Sequence, residues 1–327
     1  MRPEPCVCTC PGVPGSGARL TDIGATHEGL IVANYGRHFL VETTSGQRVI
    51  CHSRGKKSQG VVGDRVAWRA SRDEGVIEQI EPRRNLFYRQ DDVRTKSFAA
   101  NLDLVVLLIA AEPAFSSQQL SRALIAAHAQ GIGSLIVLNK RDLTQAFDRA
   151  WLRLAPYRAM GYQVIALTLK PASGQEQGLT TLTAQLAGKT SLVLGPSGAG
   201  KSSLINRLVP EAAILTGELS QALRAGKHTT TRTTWYWIDT GKTSALIDSP
   251  GFQEFGLHHL DPMDLARCMP DLAAHAGECR FHNCTHLHEP GCAVIAACKA
   301  HGDAASISPE RHRIYAELFA ELSQRRH

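Results

Sequence analysis

Between residues 29 and 80 the chain alternates apolar and polar positions in five short runs: GLIVANY, HFLVETT, QRVICHS, DRVAWRA and GVIEQI. A period of two turns one face of each run inward, and the Gly, Ser, Lys and Arg residues between them supply turns. Five short strands closing as a small β-barrel are therefore expected. An oligonucleotide-binding barrel is the favoured form, and an SH3-like barrel would give similar spacing. A basic linker around Arg83, Arg84 and Arg94 follows.

Beyond it the pattern changes. LDLVVLLIAA is apolar at every second and every third position alike, as a parallel strand covered on both faces must be. QQLSRALIAAHAQG then repeats at helical spacing and stops at Gly131, and SLIVLNK is a second buried strand. A helical stretch near Asp148 to Met160, the strand QVIALT, the helix GLTTLTAQLAG and the strand TSLVLG continue the series. Strand, helix, strand is the unit of a parallel sheet, so the middle of the chain is expected to be an α/β domain. From Asp264 to Cys298 the text is short and rich in His and Cys, and a helix from Pro309 to about Leu322 closes it. The expected organisation is multidomain: 1–22 a mobile tail, 23–95 a barrel, 96–258 the α/β domain, and 259–327 an α-helical metal-binding domain.

Composition adds limits. The 327 residues are 43% hydrophobic and 20% charged, which excludes wholesale disorder. No apolar run approaches the roughly 20 residues that span a bilayer, and the first 20 residues lack the apolar centre of a secretory signal. A cytoplasmic, monomeric protein without a membrane partner is expected. Lys and Arg exceed Asp and Glu by 36 to 30, a net +6, with fifteen basic and eleven acidic side chains in residues 1–97. That third is the expected polyanion face, with Arg37, Arg48, Arg54, Lys56 and Lys57 as candidate phosphate contacts or as plain solvated charge.

The chemistry begins at GPSGAGKSS, where Gly195, Pro196, Ser197, Gly198, Ala199, Gly200, Lys201, Ser202 and Ser203 give the GxxxxGK[ST] spacing between a strand and a helix. Such a loop curls its backbone N–H groups around phosphates, with Lys201 reaching the β and γ phosphates and Ser202 on magnesium. A phosphate loop alone leaves ATP and GTP open. NKRD decides between them: Asn139, Lys140 and Asp142 follow a buried strand, and the Asp142 carboxylate can accept from N1–H and the exocyclic amine of guanine, where adenine has no N1 donor. QVIALT ends at Thr168, and Leu169 and Lys170 form a candidate base-backing loop. In ALIDSPGF, Asp248 ends a strand as a water-mediated magnesium ligand and the Gly251 amide can sense the γ-phosphate. GKHTTTRTT supplies a switch threonine for magnesium, Thr230, with Thr229 and Thr231 as alternatives.

Ras-type GTPases run phosphate loop, switch, DxxG, then NKxD. Here Asn139 precedes Gly195, so the domain reads as circularly permuted. With VVGDRV at Val61 to Val66, AANLD at Ala99 to Asp103, GKHTTT and DSPGF, the chain resembles the circularly permuted ribosome-small-subunit-dependent GTPase A family over about residues 25 to 322. The resemblance implies an N-terminal oligonucleotide-binding barrel, a permuted GTPase domain and a C-terminal zinc domain. It also implies late small-subunit maturation, with GTP hydrolysis to GDP stimulated by the subunit's rRNA. Leu169 stands where that family usually has Ala.

Two features complete the expectation. The water-orienting Gln that follows DxxG in Ras-like enzymes is replaced by Phe252, so His228 in the switch segment becomes the candidate catalytic residue beside Lys201 and Thr230. The family resemblance points to the same histidine; a solvated loop residue or an rRNA contact is the other reading. CRFHNCTHLHEPGC spaces Cys279, Cys284, His286 and Cys292 for one closed, structural zinc site, with His282 or His288 as substitutes for His286. Cys268 and Cys298 are assigned to packing, and Cys6, Cys8 and Cys10 to the tail.

Overall fold

The computed structural model describes residues 25–54, 60–71, 74–90, 95–169, 177–210, 212, 233–249, 252, 256–299 and 307–324. The tail cysteines, Lys56, Lys57, Arg94, Lys170, the switch residues His228 to Thr231 and Gly251 lie outside this set.

The five alternating runs form β1 (Thr26–Asn34), β2 (His38–Thr43), β3 (Arg48–Ser53), β4 (Arg65–Ala70) and β5 (Gly75–Ile80). Their inward positions, among them Ile31, Phe39, Val41, Val66 and Trp68, are buried. β1 pairs with β2 and β4, β3 with β2 and β5, and β4 with β5, so the strands close on themselves. The β3–β5 pair is parallel and the others antiparallel, as in an oligonucleotide-binding barrel.

The basic linker is not a linker. Leu86–Gln90 (β6) and Thr95–Ala100 (β7) form a separate two-stranded hairpin, and the arginines before it are structural. Arg83 forks onto the fully buried Asp64 at 2.7 and 2.8 Å. Arg84 reaches Asp103 at 2.9 Å, and Asp103 also accepts from Thr190 N at 2.8 Å. Asn101, at φ 59°, accepts from Arg84 N at 2.8 Å and donates to Gly63 O at 2.9 Å. VVGDRV and AANLD are thus one polar weld that runs from the barrel to Thr190, the first residue of the strand leading to the phosphate loop.

The α/β domain contains β8 (Leu104–Ala110), β9 (Gly133–Asn139), β10 (Gln163–Ala166), β11 (Thr190–Leu194), β12 (Thr234–Trp237) and β13 (Ala245–Asp248), in the order β10-β9-β8-β11-β13-β12. All neighbours run parallel except β12 against β13. The connecting helices are α1 (Ser117–Ala129), α2 (Thr144–Arg153), α3 (Ala155–Ala159), α4 (Leu179–Leu186) and α5 (Lys201–Leu208). β8 lies between β9 and β11, so the loop after β9 and the loop after β11 emerge at the same sheet edge whatever their chain order. Permutation leaves the site intact for that reason.

β12, absent from the sequence reading, joins the two domains: its Thr234 pairs with Ala33 of β1, making one continuous 11-stranded sheet. The buried Glu42 of β2 seals the seam, accepting from Trp237 Nε1 at 2.9 Å, Lys242 Nζ at 2.6 Å and Arg48 Nε at 3.3 Å. Arg48 is therefore a seam residue. Arg54 pairs with Glu78, while Arg37 is exposed.

The C-terminal part holds a 3-10 helix, Pro262–Cys268, and three helices, α6 (Pro270–Ala276), α7 (Ala293–Lys299) and α8 (Pro309–Ser323). α8 starts at Pro309 behind the Ser308 cap, whose hydroxyl accepts from Arg311 N at 3.3 Å. Arg311, buried on α8, forks onto Asp271 at 2.8 and 3.0 Å and donates to Ser121 of α1 at 2.7 Å, fixing this part to the α/β domain. Among the described residues no helix is long and apolar enough to cross a membrane.

Candidate functional site

β11 delivers the phosphate loop and β9 the NKRD loop to one open cavity of about 450 Å³. Its walls are Asn139, Lys140, Asp142 and Leu169 on one side and Pro196, Ser197, Gly198, Gly200, Lys201, Ser202 and Ser203 on the other. The predicted base reader and the predicted phosphate cradle therefore meet, 60 residues apart in the chain, through the Asn139 Nδ2 bond to Ala199 O at 2.9 Å. Two glycines are required by close approaches to this loop. A Cβ at Gly195 would lie 2.0 Å from Leu108 O, and one at Gly200, whose φ is +104°, would lie 2.4 Å from Asn139 Nδ2.

The donor set suits a nucleotide. Asn139 is 4% exposed, yet its Oδ1 has no partner among the described residues, an acceptor left for something the site receives. The Lys201 ammonium donates to Gly195 O at 2.6 Å and Pro196 O at 3.4 Å, inside the loop expected to cradle phosphate. Burial pushes the Lys201 pKa down, opposed by the Asp248 carboxylate; burial pushes Asp248 up, opposed by Lys201. A cation and an anion that each lose hydration are in place to bind the opposite charges of phosphate and a divalent ion. Asp248 ends β13 and is 7% exposed. Just before β12 and just after β13, Thr233 and Ser249 share a hydroxyl hydrogen bond of 3.0 Å. Phe252 is buried in the apolar core, so its ring is spent on packing.

Leu169 lines the cavity, whereas Thr168 is buried behind it and gives its N–H to Gln177 O at 3.1 Å. Ala199 is buried beneath the loop and contributes its carbonyl.

Sequence reasoning missed the turn after β8. There Ala111 N donates to Asn139 O at 3.1 Å and Lys140 Nζ donates to Glu112 O. The Pro of Glu112-Pro113, directly after a buried strand, was its only signal.

A second centre lies in the C-terminal part. The ligand atoms of Cys279, Cys284, His286 and Cys292 all fall within 4.8 Å of one another. His282 and His288 are exposed, so His286 is the histidine of the cluster. Three sulfurs and an imidazole suit a closed tetrahedral zinc site, and burial favours the neutral imidazole that ligates. Glu289 staples the loop by accepting from the Thr285, Leu287 and His288 amides at 2.9, 3.2 and 3.2 Å. Although burial opposes it, these bonds and the Thr285 hydroxyl hold its carboxyl well below the usual range. α8 is tied to the loop through His312 Nε2 on His286 O and Tyr315 OH on Thr285 O, both at 2.8 Å. Cys268 and Cys298 stand outside the cluster.

Comparison with known proteins agrees with this geometry. Residues 80–258 match the family model described as RsgA GTPase. Small ribosomal subunit biogenesis GTPase RsgA of Variovorax paradoxus (strain S110) is 64% identical over 314 residues, 96% of this chain and 98% of the relative. The protein of the same name from Burkholderia pseudomallei (strain 1710b) is 49% identical over 303 residues, 92% and 94% of the two chains. Among solved structures, YjeQ from Thermotoga maritima superposes with a TM-score of 0.70 at 27% identity, covering 92% of this chain and all of that one. YloQ, a circularly permuted GTPase, gives 0.67 at 27% identity, covering 95% and 99%. With base reader and phosphate loop closing one cavity in permuted order, and with relatives this similar along nearly its whole length, the chain belongs to the RsgA GTPase family.

Proposed function

We propose that this protein is a GTP phosphohydrolase that acts on the small ribosomal subunit during its maturation and uses hydrolysis to time its release. The observation that carries the reading is the single cavity shared by Asn139, Asp142 and the Gly195–Ser203 loop. In it Asp142 pairs with the guanine edge, and Asn139, with its free acceptor, fixes the reader loop against the phosphate loop. Lys201 neutralises charge that builds on the β and γ phosphates. Ser202 and Asp248, with Thr230, would hold magnesium, which supplies electrostatic stabilisation of the transferred phosphoryl group. The Gly251 amide is proposed as the γ-phosphate sensor.

Since Phe252 is buried and carries no polar group, water must be oriented from elsewhere, and His228 in the switch segment is proposed for that role. The Cys279, Cys284, His286 and Cys292 cluster is proposed to bind one structural zinc. The barrel, a fold suited to oligonucleotides, is proposed to meet rRNA from a monomer in the cytoplasm.

The test is GTP turnover with isolated small subunits, large subunits and unrelated RNA. Small subunits alone should raise the rate, by at least about 100-fold, and His228→Ala should abolish that rise while retaining GTP affinity. Equal stimulation by all three would assign the protein to general RNA-linked signalling. An unchanged stimulated rate in His228→Ala would remove that residue from catalysis.

A further inference from the structure

The strand β8 ends in a turn, Ala111 to Phe115, that belongs to none of the nucleotide motifs yet touches both halves of the site. On the base side, Ala111 N donates to Asn139 O at 3.1 Å and the Lys140 ammonium donates to Glu112 O. Lys140 takes φ 67° to do so, a conformation that costs a non-glycine residue free energy. On the phosphate side, Pro113 lies against Gly198: a Cβ placed there would meet Pro113 Cδ at 3.3 Å and Cγ at 3.7 Å. The far end is held independently. Arg153 of α2 lies over the Phe115 ring at 4.3 Å, donates to Phe115 O at 3.0 Å, and reaches Ser117 Oγ at 3.2 Å.

Each contact alone is ordinary packing. Together they place one anchored turn between Lys140 of the NKRD loop and Gly198 of the phosphate loop. Glu112 and Pro113 are exposed, so core packing alone does not set where they lie.

We propose that the Ala111–Phe115 turn is a brace that sets the spacing between the guanine reader and the phosphate loop, with Pro113 and Arg153 as positioning residues for nucleotide selection. The inference rests on the reading that this cavity takes a guanine nucleotide. Bonds to the guanine edge discriminate only if Asp142 and Asn139 are at the right distance from the anchored phosphates, so a loosened brace erodes selectivity first. A residue that merely stabilised the fold would weaken guanine and adenine nucleotides by the same factor.

The experiment is fluorescence titration of the full-length protein with N-methylanthraniloyl GDP and ADP, beside Pro113→Ala and Arg153→Met, with thermal unfolding of each. For Pro113→Ala the Kd for the GDP probe should rise about tenfold while that for the ADP probe moves less than about twofold. Arg153→Met, which keeps an apolar stem over Phe115 but removes the hydrogen bonds, should shift the ratio in the same direction by a smaller factor, and it decides the matter should Pro113→Ala fail to fold. An unchanged GDP-to-ADP ratio in the folded variants would overturn the brace while leaving guanine recognition intact. Wild-type protein that held both probes equally would instead overturn the reading beneath it.

Discussion

At the scale of single residues, the polar groups that count most are those the fold has removed from water. Glu42 is one of them. Burial by itself would raise its carboxyl, but hydrogen bonds from Lys242 and Trp237 and the charges of Lys242 and Arg48 outweigh it and hold the pKa below its ordinary 4.5. A folded-state value below the unfolded one means that the unfolded chain binds more protons. Stability from Glu42 is thus present in full above 4.5 and is lost as pH falls through the folded value. Glu42→Gln should cost about 1–3 kcal/mol at neutral pH and show a shallower loss on acidification. Urea unfolding at about pH 7 and about pH 4 reads both effects, and parallel stability curves for the two proteins would contradict the assignment. Asp64 is also wholly buried, and the Arg83 guanidinium that forks onto it is the charge that makes this burial tolerable.

At the scale of elements, legibility followed the strength of the local signal. The barrel strands, β8, β9 and β11 were readable because their apolar periods are long and are bounded by Gly or by polar turns. The phosphate loop and NKRD were readable because their spacing is imposed by ligand geometry. The β6–β7 hairpin was not, since its strands carry Arg, Lys, Gln and Ser and it is held by a polar weld that no period reveals. β12 was hidden for another reason: its four residues, Thr-Trp-Tyr-Trp, follow a long polar stretch, and its place is set by β13 and β1, distant in sequence. The brace after β8 was invisible because it acts through backbone carbonyls and a proline ring.

The metal loop is the element whose stability depends most on something besides apolar burial. Its helices are short, and the hydrogen bonds of His312 and Tyr315 link it to α8. Purified protein is expected to hold one zinc per chain, and chelation should release hydrogen-exchange protection in residues 279–292 and in α8 around His312, leaving the barrel protected. Zinc-free protein with full protection in that loop would show that thiol packing alone suffices.

At the scale of the whole molecule, the connections tie the three structural parts to one cavity. The strand leading into the phosphate loop begins at Thr190, whose N–H is held by the weld that reaches the barrel. Beyond the DSPGF segment, Leu257 pairs with Gln90 of the hairpin, and His258 lies 3.3 Å from Glu321 on α8, which also binds Arg122 of α1. The chain that follows the DSPGF segment is therefore in contact with both the hairpin and the C-terminal helix.

All of this depends on the two halves of that cavity acting on one ligand. Calorimetric titration of the full-length protein with GDP and with ADP tests it most directly. The account predicts one site per chain and GDP held at least about 1,000-fold more tightly, as expected of a site built to hydrogen-bond the N–H groups of its ligand. Equal affinity for ADP, or separate sites for base and phosphate, would contradict it.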